Sequence, residues 1–83
     1  MTRNDLIEKV NTLLAEEFEV EKSTIQPDAV IKTTLSLSSL ELVDFVAVID
    51  YEFGIKIPMV DLLELRTFVQ LYDYLESKMN EQK

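Results

Sequence analysis

Three serine hydroxyls, Ser36, Ser38 and Ser39, crowd into the stretch LSLSSLELVDF at residues 35–45. A hydroxyl can serve as a nucleophile, a helix cap or a point of attachment, and its neighbours decide which. The chain has no histidine and no cysteine. A Ser-His-Asp triad therefore cannot be assembled, nor can a histidine- or thiolate-ligated zinc site, and there is no disulfide framework. The serines are followed instead by four acids, Glu41, Asp44, Asp50 and Glu52, in an apolar run that holds no base. An exposed helix usually mixes charges of both signs for support between successive turns. This pattern suits either a solvated face in an acidic protein or a docking face for basic partners.

The element that positions these groups is a helix. Ser38-x-x-Glu41 has the form of a capping box, with Leu37 and Leu42 at the two positions of a hydrophobic staple. Such a cap contributes about 1 kcal/mol. The helix is predicted to run to Gly54, the only glycine, placed as a left-handed C-cap, and Pro58 prevents its early resumption. Val43, Val46, Ile49 and Phe53 form the stripe expected to be buried. Glu41 favours the N-terminus, whereas Asp50 and Glu52 sit at the end that the macrodipole makes unfavourable for acids. Ser39 follows the cap and takes the first helical position. An anion attached to its oxygen would meet the unpaired N–H groups of the first turn. An unmodified serine is equally ordinary there.

Two further long helices are expected. In TRNDLIEKVNTLLAEEF, Leu6, Val10, Leu13, Leu14 and Phe18 share a face, with Thr2 or Asn4 as cap. Thr67-x-x-Gln70 opens FVQLYDYLESKM as a second capping box, with Phe68, Leu71, Tyr72, Leu75 and Met79 inward. MVDLLEL can add one or two turns before it. Between the first two helices lies an irregular segment, about Glu19 to Leu37, containing the turn signal Pro27-Asp28. Val20, Ile25, Val30, Ile31 and Leu35 are spaced along it as anchors. Loops of this length are uncommon in small domains and often functional. The expectation is one all-α domain over residues 1–83, a small four-helix bundle of three main helices and one short one, frayed beyond about residue 79.

Sixteen acids against eight bases give a net charge of −8 at pH 7. That field repels nucleic acid, whose binding requires phosphate neutralisation, and attracts basic proteins. No run is long and apolar enough to span a membrane, and the N-terminus lacks a signal-peptide core, so a monomeric cytoplasmic protein is expected.

The segment LSLSSLELVDFVAVIDYEFGIKIP resembles the signature of the acyl carrier protein family. There, Leu-Gly-x-Asp-Ser-Leu opens the second helix, which ends in Glu-Phe-Gly or similar before Ile-x-Ile-Pro. Leu35, Ser39, Leu40, Val43, Val46, Glu52, Phe53, Gly54, Ile57 and Pro58 fall in register, and the match continues through Thr67 to YDYL. The resemblance implies a non-catalytic carrier whose Ser39 bears 4′-phosphopantetheine, donated from coenzyme A by a phosphopantetheinyl transferase. Acyl groups would ride as thioesters on that arm to enzymes of fatty-acid, lipid or polyketide-type synthesis. Those enzymes would dock basic patches on Glu41, Val43, Asp44, Ala47 and Asp50. An aminoacyl or peptidyl carrier, or an unmodified carrier-like interaction module, is the alternative.

The resemblance also implies an acyl pocket at Ile31, Val46, Ile49, Ile57, Leu65 and Leu71, for which ordinary core packing is the competing account. Leu62 and Leu71 stand where bacterial fatty-acid carriers have small alanines. The chain departs from the pattern at Ser38, where the family has aspartate, at Ser36, where it has glycine, and at Thr33 and Thr34, where acids are common. Tyr51 and Lys56 dilute the acidity at the far end of the helix. These changes remove charge from the surface that a transferase or other partner would read.

Overall fold

Threonine caps the first helix. The Thr2 hydroxyl accepts from the Asp5 N–H at 3.1 Å, and the Asp5 carboxylate accepts from the Thr2 N–H at 3.3 Å. The computed structural model describes residues 2–81. Among them it forms five α-helices: α1 (Arg3–Glu17), α2 (Ile31–Thr34), α3 (Ser39–Phe53), α4 (Met59–Leu62) and α5 (Phe68–Glu81). A single 3-10 turn, Lys22–Thr24, lies between α1 and α2, and the described residues contain no strand. The fold is the expected all-α bundle of three long helices, with one short helix more than the sequence suggested. The segment read as irregular carries α2.

Two helices end on left-handed residues that are not glycine. Glu19 has φ +54°, and the Val20 N–H donates to the Ala15 carbonyl at 3.1 Å behind it. Ser36 has φ +53°, and the Leu37 N–H donates to the Lys32 carbonyl at 2.9 Å. Both are the six-to-one closure that returns orphan helix carbonyls to a partner. α3 ends as predicted on Gly54 at φ +67°, whose N–H donates to the Asp50 carbonyl at 2.7 Å.

The long connection between α1 and α3 is held by the start of α5. The first N–H groups of a helix lack partners within it. Those of Phe68 and Val69 donate to the loop carbonyls of Ala29 and Pro27, at 3.3 and 2.9 Å. In return the Ile31 N–H donates to the Arg66 carbonyl at 2.9 Å, and Val30 bridges Thr67 in antiparallel sense. Val30 is thus tied down by its backbone. Its side chain, expected as a core anchor, is 39% exposed, whereas Ile25, Ile31 and Leu35 are buried. Gln70 completes this corner, its side-chain oxygen accepting from the Arg66 and Thr67 N–H groups at 2.8 and 3.1 Å.

The core is apolar throughout. Leu6, Val10 and Leu14 of α1 meet Phe45 and Ile49 of α3 and Phe68, Leu71, Tyr72 and Leu75 of α5. The expected α3 stripe needs correction at Val43, which is 58% exposed, while Phe45 takes the buried place beside Ile49. At ~100° per residue, Val43 lies about 115° round from the midline of Leu42, Phe45, Ile49 and Phe53. Arg3 pairs with Asp73 at 2.8 Å and Glu76 at 3.5 Å, tying α1 to α5. Lys9 approaches Glu52 at 3.9 Å and stands 5.3 Å from the centre of the Phe53 ring. It supplies from α1 the positive charge that the end of α3 lacks. The Tyr74 hydroxyl donates to the Asp61 carboxylate at 2.8 Å, joining α4 to α5. Burial, together with that carboxylate, pushes the Tyr74 phenol up to about 12. α5 continues through Asn80 and Glu81, further than the fraying expected after residue 79, and Gln82 and Lys83 lie outside the described residues.

Candidate functional site at the start of the third helix

The path from α2 to α3 fixes Ser39. The left-handed Ser36 reverses the chain, and Leu37 is buried directly after it. Leu42, its staple partner, packs against the core from the first turn of α3. Ser38 is then the N-cap: its hydroxyl accepts from the Glu41 N–H at 3.3 Å, and the Glu41 carboxylate accepts from the Ser38 N–H at 3.2 Å. With Ser38 so engaged, Ser39 is the first residue of a fifteen-residue helix, and it is exposed. Leu40 beside it is 82% exposed.

This arrangement fits a covalently attached phosphate. The helix N-terminus carries a partial positive charge and free N–H groups, the hydroxyl opens to solvent, and Glu41 is occupied by the cap.

The residues expected to form a docking face lie along the exposed side of α3. Asp44, Ala47 and Val43 are exposed, and Glu41 and Asp50 are half-buried. Glu41, Asp44 and Ala47 line one cleft with Val48, Glu17 of α1 and Phe18 directly after it, so α1 adds a third acid to the cleft. Apolar side chains are exposed as well: Tyr51 on α3, Met59 and Val60 on α4, and Leu63 directly after α4.

A groove of about 440 Å³ opens between the α2 turn, the first half of α3, α4 and the 65–66 turn. Its apolar lining includes Ile31, Leu42, Phe45, Leu62 and Leu65. Of the six residues read as an acyl pocket, Ile31 and Leu65 are brought together here. Ile49, Ile57 and Leu71 are buried in the core, and Val46 packs against it. The sequence reading gives Leu42 only as a staple residue, and it does not single out Phe45 or the two cations of the rim, Lys32 and Arg66. The spacing of Phe45 four residues before Ile49 could have found the first half of that set. Nothing local pairs position 32 with position 66.

No described helix is long and apolar enough to cross a membrane. No metal-holding cluster of carboxylates exists among the described residues.

The model of the phosphopantetheine attachment site matches residues 8–75, a span that includes α3 and the whole groove. Among curated proteins, the acyl carrier protein of Thermotoga maritima is 31% identical over 94% of this chain and 96% of its own. That of Petrotoga mobilis is 31% identical over 96% and 94%, and that of Thermosynechococcus vestitus 27% identical over 95% and 98%. The similarity runs the length of the chain, across the capped serine pair and the bundle that presents it. The chain belongs to the acyl carrier protein family, whose defining cofactor is phosphopantetheine.

Proposed function

We propose that Ser39 is the residue that carries 4′-phosphopantetheine, and that the protein delivers acyl groups on that arm without catalysing their chemistry. One observation carries the choice of serine. Ser38 is engaged as the cap, Ser36 lies in the turn before the helix, and Ser39 is exposed at the first helical position. When bound, the arm supplies a terminal thiol that holds acyl groups as thioesters. The chain's part is to hold the arm's phosphate at the positive end of α3 and to present α3 to partners. Glu41, Asp44 and Asp50 give that face its charge, and Val43 and Ala47 give it apolar contact. Basic patches on a phosphopantetheinyl transferase and on acyl-processing enzymes are the complement to this surface.

The test is loading. The purified protein is incubated with coenzyme A and a broad-specificity phosphopantetheinyl transferase, and its intact mass is measured. A single phosphopantetheine is expected, mapped to Ser39 by fragmentation. Ser39→Ala abolishes loading, whereas Ser38→Ala slows it at most. A modification found on Ser38 overturns the assignment. Failure to load with several transferases points to an unmodified interaction module.

A further inference from the structure

The groove beside α3 is basic at its rim in a protein that is acidic almost everywhere else. Lys32 and Arg66 both line it, and no Asp or Glu does. The chain as a whole has sixteen acids and eight bases. Two other surface clefts follow the composition and are lined by Glu17, Glu41 and Asp44, and by Asp5, Glu8, Glu16, Glu17 and Glu52 with a single lysine.

Arg3, Lys9, Lys22 and Lys78 all have carboxylate partners, whereas Lys32 and Arg66 form no ion pair among the described residues. Their proximity is built into the backbone. The Ile31 N–H bonds the Arg66 carbonyl at 2.9 Å and Val30 bridges Thr67, so the residues on either side of that junction are brought to one rim.

The floor of the groove is of opposite character. Phe45, Ile31 and Leu62 are buried apolar residues. The volume, about 440 Å³, falls within the roughly 300–1,000 Å³ of small-ligand clefts. Leu42, also in the lining, is three residues after Ser39 and therefore one helical turn along the same side of α3. A group tethered to Ser39 has this groove as its neighbour. An apolar floor suits methylenes, and two unpaired cations at the rim suit an anion at the end of them. The arm's own phosphate belongs at the helix N-terminus, not on this floor.

We infer that the groove receives acyl cargo that ends in a carboxylate, its methylenes lying on Phe45, Ile31 and Leu62 and its terminal carboxylate between Lys32 and Arg66. This inference rests on Ser39 bearing the arm. It names the class of cargo as the monothioester of a dicarboxylic acid rather than a simple fatty acyl chain. No bond is made or broken in the binding.

The experiment compares two cargoes of equal carbon count. The apo protein is loaded enzymatically from glutaryl- and from pentanoyl-coenzyme A, and loading is verified by mass. Amide shifts of Ile31 to Thr33, Phe45, Leu62 and Arg66 are then recorded, together with the rate of thioester cleavage by hydroxylamine. The glutaryl form is expected to shift these amides beyond the pentanoyl form and to be cleaved more slowly, by up to about fivefold for partly exposed ion pairs. The difference should shrink as salt rises from 0.05 to ~0.5 M, where the Debye length falls below about 5 Å.

In Lys32→Met/Arg66→Met the two cargoes should become equivalent. Both side chains are exposed, so folding is retained, and the salt series tests the same point without any substitution. Equivalence of the two cargoes in the wild type overturns the inference, as does a difference that persists in the double variant. So does the shift set appearing already between the apo and holo forms, which would make the arm's phosphate the occupant. A protein that stays at its apo mass removes the attachment reading and this inference together. A loaded protein with indifferent cargoes removes the inference alone.

Discussion

Substituting Ser38 separates the two serines that the sequence sets side by side. Ser38→Ala deletes the acceptor for the Glu41 N–H and leaves the Glu41 carboxylate with only half of its reciprocal pair. Loss of a serine cap costs about 0.5–2 kcal/mol across proteins. Here the two bonds measure 3.3 and 3.2 Å and are exposed, longer than the roughly 2.9–3.0 Å at which N–H···O bonds cluster. Water also replaces them readily, so the lower half of the range applies, about 0.5–1 kcal/mol. In a domain of this size ~1 kcal/mol moves Tm by about 4–8 °C, so a fall of about 2–8 °C is expected. Ser38→Asp, which restores a capping acceptor and the family's own residue, should recover it.

The assay is thermal unfolding followed by circular dichroism, with urea unfolding to confirm that only the midpoint moves. Glu41→Ala combined with Ser38→Ala should cost less than the two singly, because both act through one box. Ser39→Ala should leave Tm within about 1 °C, since its hydroxyl makes no hydrogen bond to another described side chain or backbone group. The reasoning is refuted if Ser39→Ala destabilises as much as Ser38→Ala, because the cap would then have been assigned to the wrong serine.

Reversing charge in Glu41→Lys/Asp44→Lys should weaken binding to a cognate transferase at low salt, measured by titration calorimetry. The loss should diminish towards physiological ionic strength, where screening acts over about 8 Å. Equal affinities at low salt would make the acids a solvated face only. Ser36→Gly should stabilise the protein by up to about 1 kcal/mol in urea unfolding, because a non-glycine residue at positive φ carries a strain of about 1–2 kcal/mol, partly offset by the freer unfolded chain. Gly54→Ala should destabilise it by about 0.5–1 kcal/mol. That loss is backbone strain alone, since no atom lies within 4 Å of the added Cβ. The Tyr74 phenol, pushed up to about 12 by burial and by Asp61, keeps its proton in the fold after the unfolded chain has lost it. Its contribution to stability is therefore full below about pH 10 and lost as pH rises through about 12. Tyr74→Phe should flatten the pH dependence of urea midpoints across that window, and an unchanged slope would count against the shift.

α3 could be read end to end because everything that bounds it is local: a serine cap, a glutamate three residues on, a buried leucine before it and a glycine after it. The ends of α1 and α2 could not, because Glu19 and Ser36 adopt the left-handed turn without the residue type that signals it. Val43 misled for a different reason. Valine types the position as apolar, but the angle about the helix axis places it outside the buried face, and Phe45 was needed to set the midline. The loop's attachment to α5, and with it the pairing of Lys32 with Arg66 across the groove, depends on hydrogen bonds between segments far apart in the chain. No periodicity in either segment encodes such bonds.

Among the described residues no charged side chain is buried, and the Tyr72 hydroxyl donates to Asn11, a part-buried polar pair between α5 and α1. Buried polar pairs act as keys: they are satisfied in one register and costly in every other. Apart from the Tyr72–Asn11 pair, a core of leucine, isoleucine, valine and phenylalanine lacks such keys. What holds these helices at one spacing is a sum of many small dispersion contacts, each worth about 0.1–0.2 kcal/mol. The directional bonds of this fold thus lie mostly at its capped helix ends, and close packing sets the spacing in the middle.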